Sequence, residues 1–220
     1  MKILEKLKKC LERFISATQD LLVPENIKVQ KLLDLPISFL RDLLPKSPVY
    51  SKDIFVLFNY DNKIVRLIVK SIKYKNNANL RKRIAVYFYE EIIDIASEIS
   101  LFEGIPPLLV PMPMSKLEKR NRGFNQCEEL VKEIKNLVGN NIEVSYNTLK
   151  KVRETKRQTT LSREERAQNV KDSMVAVPTF SSHTVIVLDD VYTTGASLLE
   201  ARRALVASGA KRVIGLFIAH

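Results

Sequence analysis

The segment that most constrains the fold lies between Thr184 and Ala219. Two apolar runs, "TVIVLD" (184–189) and "RVIGLFIA" (212–219), bracket "TGASLLEARRALVASGA" (194–210), where apolar residues recur at helical spacing. A strand apolar on both faces, then a helix, then a second such strand, reads as a unit of a parallel sheet covered by helices. The pattern extends upstream. "IFVLFNYDNK" (54–63) reads as a strand and turn, "KIVRLIVKSIK" (63–73) and "NLRKRIAVYFYEEIIDIASEIS" (79–100) as helices, and "LLVPMP" (108–113) as a short buried strand. "GFNQCEELVKEIKNLV" (123–138) is a helix that ends at Gly139, and short strands follow at 142–144, 149–152 and 173–177. The expected class is α/β, with a mainly parallel sheet flanked by helices.

"KSPVYSKD" (46–53) breaks the pattern and separates a helical N-terminal segment, 1–50, from a domain spanning 51–220. Within the first segment Ile3, Leu4, Leu7, Leu11, Phe14 and Ile15 repeat at helical spacing, with charged residues interleaved. Those charges interrupt any signal-peptide core, so the expected element is a helix packed on the body, with no membrane span.

The net charge of +11 favours an anionic partner. Lys63, Arg66, Lys70 and Lys73 share one face of a helical wheel, and no acid occurs between Lys63 and Arg83. That run reads either as a solvated face or as an anion-facing surface. Cys10, Cys127, His183 and His220 are too scattered for a zinc site, and two cysteines cannot form a disulfide framework. A reducing, cytoplasmic setting is expected. Cys127, on a helix face, reads as a packed small residue.

The chemistry concentrates in "VIVLDDVYTTGAS" (185–197). Adjacent carboxylates repel by roughly 4 kcal/mol at about 4 Å and an effective dielectric near 20. In parallel sheets ligands bind at the carboxyl ends of strands, where Asp189 and Asp190 fall. Thr193, Thr194, Gly195, Ala196 and Ser197 then lead into a helix whose N-terminus suits a phosphate. The same residue types are also ordinary helix caps. No glycine is followed by lysine and there is no G-x-G-x-x-G, which excludes a Walker loop and a dinucleotide fingerprint. A phospho-receiver domain needs far more chain than follows Asp190. The ligand that remains carries a phosphate at one end and a cis-diol nearby. Each carboxylate would accept a ribose hydroxyl and stabilise positive charge developing at C1.

"VIVLDDVYTTGAS" resembles the 5-phosphoribosyl 1-pyrophosphate (PRPP) motif of type I phosphoribosyltransferases. "FNYDNKIVRLIVKSIKYKNNANL", "LLVPMPMSKLEKRNRGFNQCEEL", "VRETKRQTTLSREERAQN" and "GAKRVIGLFIAH" narrow the resemblance to the competence protein F (ComF) family, over about 54–220. It implies a type I phosphoribosyltransferase-like sheet, with Asp189 and Asp190 as catalytic, ribose-binding residues and Thr193–Ser197 holding the 5′-phosphate. Met114, Ser115 and Lys116 would bind pyrophosphate, and Arg153, Lys156, Arg157 and Gln158 would belong to a flexible loop closing over PRPP. Mg²⁺ would arrive on PRPP, with no protein metal site. This chain lacks the cysteines for the zinc ribbon many members carry, and Ser115 stands where the family usually has histidine. Two classes of function follow: phosphoribosyl transfer to an unidentified nitrogen nucleophile, or a non-catalytic PRPP sensor or a protein binding single-stranded DNA or competence proteins.

Overall fold

The computed structural model describes residues 24–47, 51–139, 142–155, 163–177 and 183–220. The expected N-terminal helix over 1–23 and the loop residues Lys156, Arg157 and Gln158 lie outside them. Five strands form one parallel sheet: β1 (Ile54–Phe58), β2 (Leu108–Pro111), β3 (Glu143–Val144), β6 (Thr184–Val191) and β7 (Arg212–Ala219). Their order is β1-β7-β6-β2-β3, so β6 sits at the centre. A separate antiparallel pair joins β4 (Leu149–Lys151) to β5 (Met174–Ala176). The α/β class with a mainly parallel sheet is as the strand–helix alternation predicts.

Apolar spacing and caps together explain the helices. α1 (Glu25–Asp34) and α2 (Ile37–Leu43) follow prolines and bury Val29, Leu32, Leu40 and Leu43 in the same core as the sheet. α3 (Lys63–Lys75) begins where the Asn62 side chain accepts from the N–H groups of Ile64 and Val65. It buries Ile64, Val65, Ile68, Val69 and Ile72. α4 (Ala78–Glu103) is capped by Asn77 and stopped by Gly104 in the left-handed conformation, with Leu80, Ile84, Phe88, Ile92, Ile95 and Ile99 inward. α6 (Gln126–Val138) is capped by Asn125 and buries Cys127, Leu130, Val131 and Ile134.

Two further helices border or enter stretches assigned by the resemblance. α5 (Lys116–Arg122) begins at the last residue of the expected pyrophosphate-binding stretch, and α7 (Arg163–Val170) lies within the basic stretch that contains the expected closing loop. α3 and α6 pack on β6, with α4 lying against both helices. Because β2→β3 and β6→β7 step in opposite directions along the sheet, right-handed crossovers place α8 (Ala196–Ala207) on the opposite face. There α8 meets β5. Gly215 of β7 lets α8 come close: a Cβ there would lie 2.7 Å from Leu198 Cδ2. No helix among the described residues is long and apolar enough to cross a membrane.

Candidate functional site

β6 is sealed from Thr184 to Leu188, so the chain meets water only as it reaches the two acids. Pro111 pairs with Leu188 in register, and the Met112 N–H donates to the Leu188 carbonyl at 2.8 Å. The loops leaving β2 and β6 therefore emerge side by side at one end of the sheet, bringing Met114–Lys116 to the same rim as Asp189–Ser197. Among the described residues the expected site elements converge there.

The two carboxylates are not equivalent. Asp190 is 6% exposed. Its Oδ1 accepts from the Val191 N–H at 2.9 Å, and its Oδ2 from Gln126 Nε2 at 3.0 Å. The Lys73 ammonium stands 2.9 Å from the same Oδ2. Asp189 is less enclosed. Its Oδ1 accepts from the Asp190 N–H at 2.8 Å and from Cys127 Sγ at 3.5 Å, and its Oδ2 has no partner among the described residues. Burial, followed by the charge of Asp190, pushes the Asp189 carboxyl up to about 7. Burial opposes the charged form of Lys73, but Asp190 and Asp189 more than offset it and hold its pKa above that of an ordinary lysine. Burial first, then the two carboxylates, keeps the Cys127 thiol protonated. Cys127 is packed, as its helical position predicts, and it also touches Asp189.

Beyond β6 the chain turns through Tyr192, Thr193 and Thr194 to Gly195, the N-cap of α8, at φ +75°. No side chain caps this helix by a cap hydrogen bond. Thr194 Oγ1 accepts only a long 3.4 Å bond from the Ala196 N–H. Glycine is required here for a reason other than closeness to a ligand. A Cβ would lie 2.7 Å from the Tyr192 hydroxyl, and the φ is one that β-branched residues rarely adopt. Tyr192 is itself braced edge-on by Phe217, with ring centroids 5.0 Å apart.

The β2 loop is organised differently. Ser115 is buried, and its hydroxyl caps α5 by accepting from the Glu118 N–H at 3.2 Å, while Glu118 returns a 3.4 Å bond to the Ser115 N–H. Glu154 adds a further acceptor, 3.2 Å from the Leu117 N–H. Lys116 is exposed. Arg153, expected in the closing loop, donates to the carbonyls of Asn169 and Lys171 at the C-terminal end of α7. Among the described residues no cluster of His, Cys, Asp or Glu is fit to hold a metal ion.

The basic face read on α3 needs correction. Lys73 turns inward to Asp190, because it lies one turn beyond buried Val69 and beside buried Ile72. Lys70 and Lys75 pair with Glu25. Farther along, Arg81 is buried near Glu129, and Arg83 donates to the Leu33 and Leu35 carbonyls. Lys63, Arg66 and Lys82 remain exposed without an acid partner among the described residues. Lys73 and Gln126 are the site residues that sequence reasoning missed. The position of Lys73 at the edge of the apolar stripe was the available signal; for Gln126 it was the place directly after the Asn125 cap.

No protein-family model matches the chain. A hypoxanthine-guanine phosphoribosyltransferase from L. donovani covers 62% of this chain and 67% of its own, at 10% identity and a TM-score of 0.37, a likeness too loose to carry an argument. Among curated proteins, the DNA utilization protein YhgH of Salmonella typhi is 28% identical over 67% of this chain and 63% of its own length. Its Escherichia coli O157:H7 counterpart is 24% identical over the same shares. The match thus spans just under two thirds of the YhgH proteins. Competence protein F of Haemophilus influenzae is 25% identical over 77% of this chain and 73% of its own length. The chain is a homologue of Competence protein F and of DNA utilization protein YhgH.

Proposed function

We propose that the chain binds the 5-phosphoribosyl group of PRPP at the end of β6, and that PRPP brings Mg²⁺ as part of the substrate complex. The observation that carries the reading is the pairing of Asp189, with one oxygen unclaimed, and an α8 N-terminus left without a side-chain cap. A helix start that lacks a side-chain cap and carries the positive end of the dipole attracts phosphate. One turn of chain away, a carboxylate accepts hydroxyls of a diol and favours positive charge at C1.

In the enzymatic form of this reading the C1–O bond to pyrophosphate breaks and a C1–N bond to the acceptor forms. Asp189 stabilises the cationic sugar, Lys116 faces the departing pyrophosphate, and the segment from Arg153 through Lys156, Arg157 and Gln158 excludes water. The test is calorimetric titration with PRPP and Mg²⁺, and with ribose 5-phosphate, followed by a screen for pyrophosphate release over bases and amines. Absence of binding by either ligand at millimolar concentration would overturn the reading. Binding without release for any acceptor would leave a non-catalytic sensor.

A second reading is favoured by the exposed Lys63, Arg66 and Lys82 and by the names of the relatives. In it the protein works in competence or DNA utilization and its outer surface binds single-stranded DNA by counterion release. Affinity would fall with salt at a log–log slope near −0.7 per phosphate neutralised. Charge reversal at Lys63 and Arg66 weakens DNA binding and spares ribose 5-phosphate. DNA binding that is undetectable at low salt would end this second reading.

A further inference from the structure

Asp190 is engaged by three donors on three different elements. Lys73 comes from the last turn of α3, Gln126 from the first turn of α6, and the Val191 N–H from β6 itself. Gln126 is in turn oriented from behind, since Arg122 at the end of α5 donates to its Oε1 and leaves Nε2 for Asp190. The Lys73 and Asp190 side chains are 28% and 8% exposed, so the pair is largely shielded from water. Asp189, one residue earlier, keeps Oδ2 open.

We propose that Lys73 is a positioning residue of the ribose site, fixing Asp190 as an anchored carboxylate so that Asp189 alone presents the charge a diol meets. The proposal rests on the ribose reading above for the identity of the ligand, though not for the role of the ion pair. Two adjacent carboxylates in a shielded site cannot both ionise cheaply. A cation bound to one of them lets that one stay ionised and lowers the cost of ionising the other. Lys73 supplies that cation through Asp190 Oδ2, without a contact to Asp189. The charged and titratable groups acting on the two acids are Lys73 from α3 and Cys127 from α6, with Tyr74 acting on Lys73 and Arg122 through Gln126. Lys73 is the one cation among them in direct contact. Tyr74 is exposed and lies under the Arg122 guanidinium, 5.5 Å from its ring centre.

The experiment has two arms. In the free protein, the Asp189 side-chain carboxyl carbon is followed by NMR through a pH titration in wild type, Lys73→Met and Lys73→Arg. Removing the positive charge should raise the Asp189 midpoint by about one pH unit or more, and Lys73→Arg should return it close to wild type. In the second arm, ribose 5-phosphate affinity is measured against pH. Lys73→Met should bind about tenfold or more weakly at pH 7 and recover as the pH rises past the displaced midpoint. A folded Lys73→Met variant whose Asp189 midpoint stays at the wild-type value overturns the proposal. If Lys73→Met does not fold, Gln126→Leu and Arg122→Met decide: both keep Lys73, so the proposal requires the Asp189 midpoint to move less in either than the one unit set for Lys73→Met. A larger move in either overturns it. Failure of wild type to bind ribose 5-phosphate refutes the ribose reading alone, since the free-protein titration still reports on Lys73.

Discussion

β2 and β6 are neighbours in the sheet, and each ends in a loop that enters a helix, yet the two junctions are built in opposite ways. After β2, Ser115 and Glu118 cap α5 reciprocally and Glu154 takes another of its N–H groups. After β6, α8 starts at Gly195, which offers no side-chain cap, and the Ala196 N–H has only the long bond to Thr194 Oγ1. The first junction satisfies itself. The second has no side-chain cap from its N-cap residue and lies beside a carboxylate whose Oδ2 has no partner among the described residues. Adjacent loops of similar length thus differ in how their helices begin, one with a reciprocal side-chain cap and one with a bare glycine, and the proposed ligand lies on the glycine side.

The strongest way to break the comparison is Gly195→Val. The φ of +75° and the 2.7 Å approach to the Tyr192 hydroxyl leave no room for a β-branched side chain. A left-handed conformation alone costs about 1–2 kcal/mol. Ribose 5-phosphate affinity should fall by about 100-fold or more, with a lowered melting temperature. Retained affinity in a folded variant would show that α8 does not hold the phosphate.

Asp189→Asn comes next. Loss of charge-assisted bonds of roughly 1.5–3 kcal/mol should weaken ribose 5-phosphate roughly 10- to 150-fold at pH 8. The free protein should respond in the opposite sense. Because the Asp189 carboxyl is raised in the fold to about 7, its contribution to stability is present below the unfolded value near 4 and lost as pH rises through about 7. The wild-type melting temperature should therefore drop between pH 5 and pH 8 by more than that of Asp189→Asn. Parallel curves for the two proteins would contradict the assigned environment.

Ser115→Ala tests the self-satisfied side. Loss of the cap should cost about 1 kcal/mol of stability, or about 2–4 °C for a chain of this size, while ribose 5-phosphate affinity holds. The smallest effect is expected for Lys116→Met. An exposed lysine contributes little to affinity, so PRPP should weaken by less than about tenfold and ribose 5-phosphate not at all. Equal weakening of both ligands would place Lys116 on the sugar phosphate and blur the division between the loops.

Much of this arrangement was legible in the residues. The sealed run Val185–Leu188 could only be a central strand, and the acids that end it, the glycine and the helix beyond all lie where that strand places them. The order "S-K-L-E" at 115–118 also carried a capping box in plain view. The resemblance assigns Ser115 to pyrophosphate binding, and the structure adds that its hydroxyl starts a two-turn helix. The Lys73–Asp190 pair was illegible for a different reason. A helical wheel assigns faces by angle, and Lys73 lies 117 residues before its partner, on the margin between the apolar stripe and the water-facing side. Only the packing of α3 on the sheet decides which way such a margin turns. Arg81 and Arg83 went inward by the same rule, which is why a run of basic residues proved a poor guide to a basic surface.

The strand order also carries a consequence for synthesis. β1 has its sheet partner in β7, and the ion pair between Asp53 and Arg212 closes a span of 159 residues. At roughly 5–20 residues per second, translation separates the two by roughly 10–30 s. Throughout that interval β1 exposes the apolar residues Val56, Leu57 and Phe58 without the neighbour that covers its edge, and β6, once made near the end of it, has its edge opposite β2 open. The strand that joins β1 to β6 is thus the last of the described strands to be made, and a nascent chain stalled before Arg212 would offer bare parallel edges to chaperones or to its own copies.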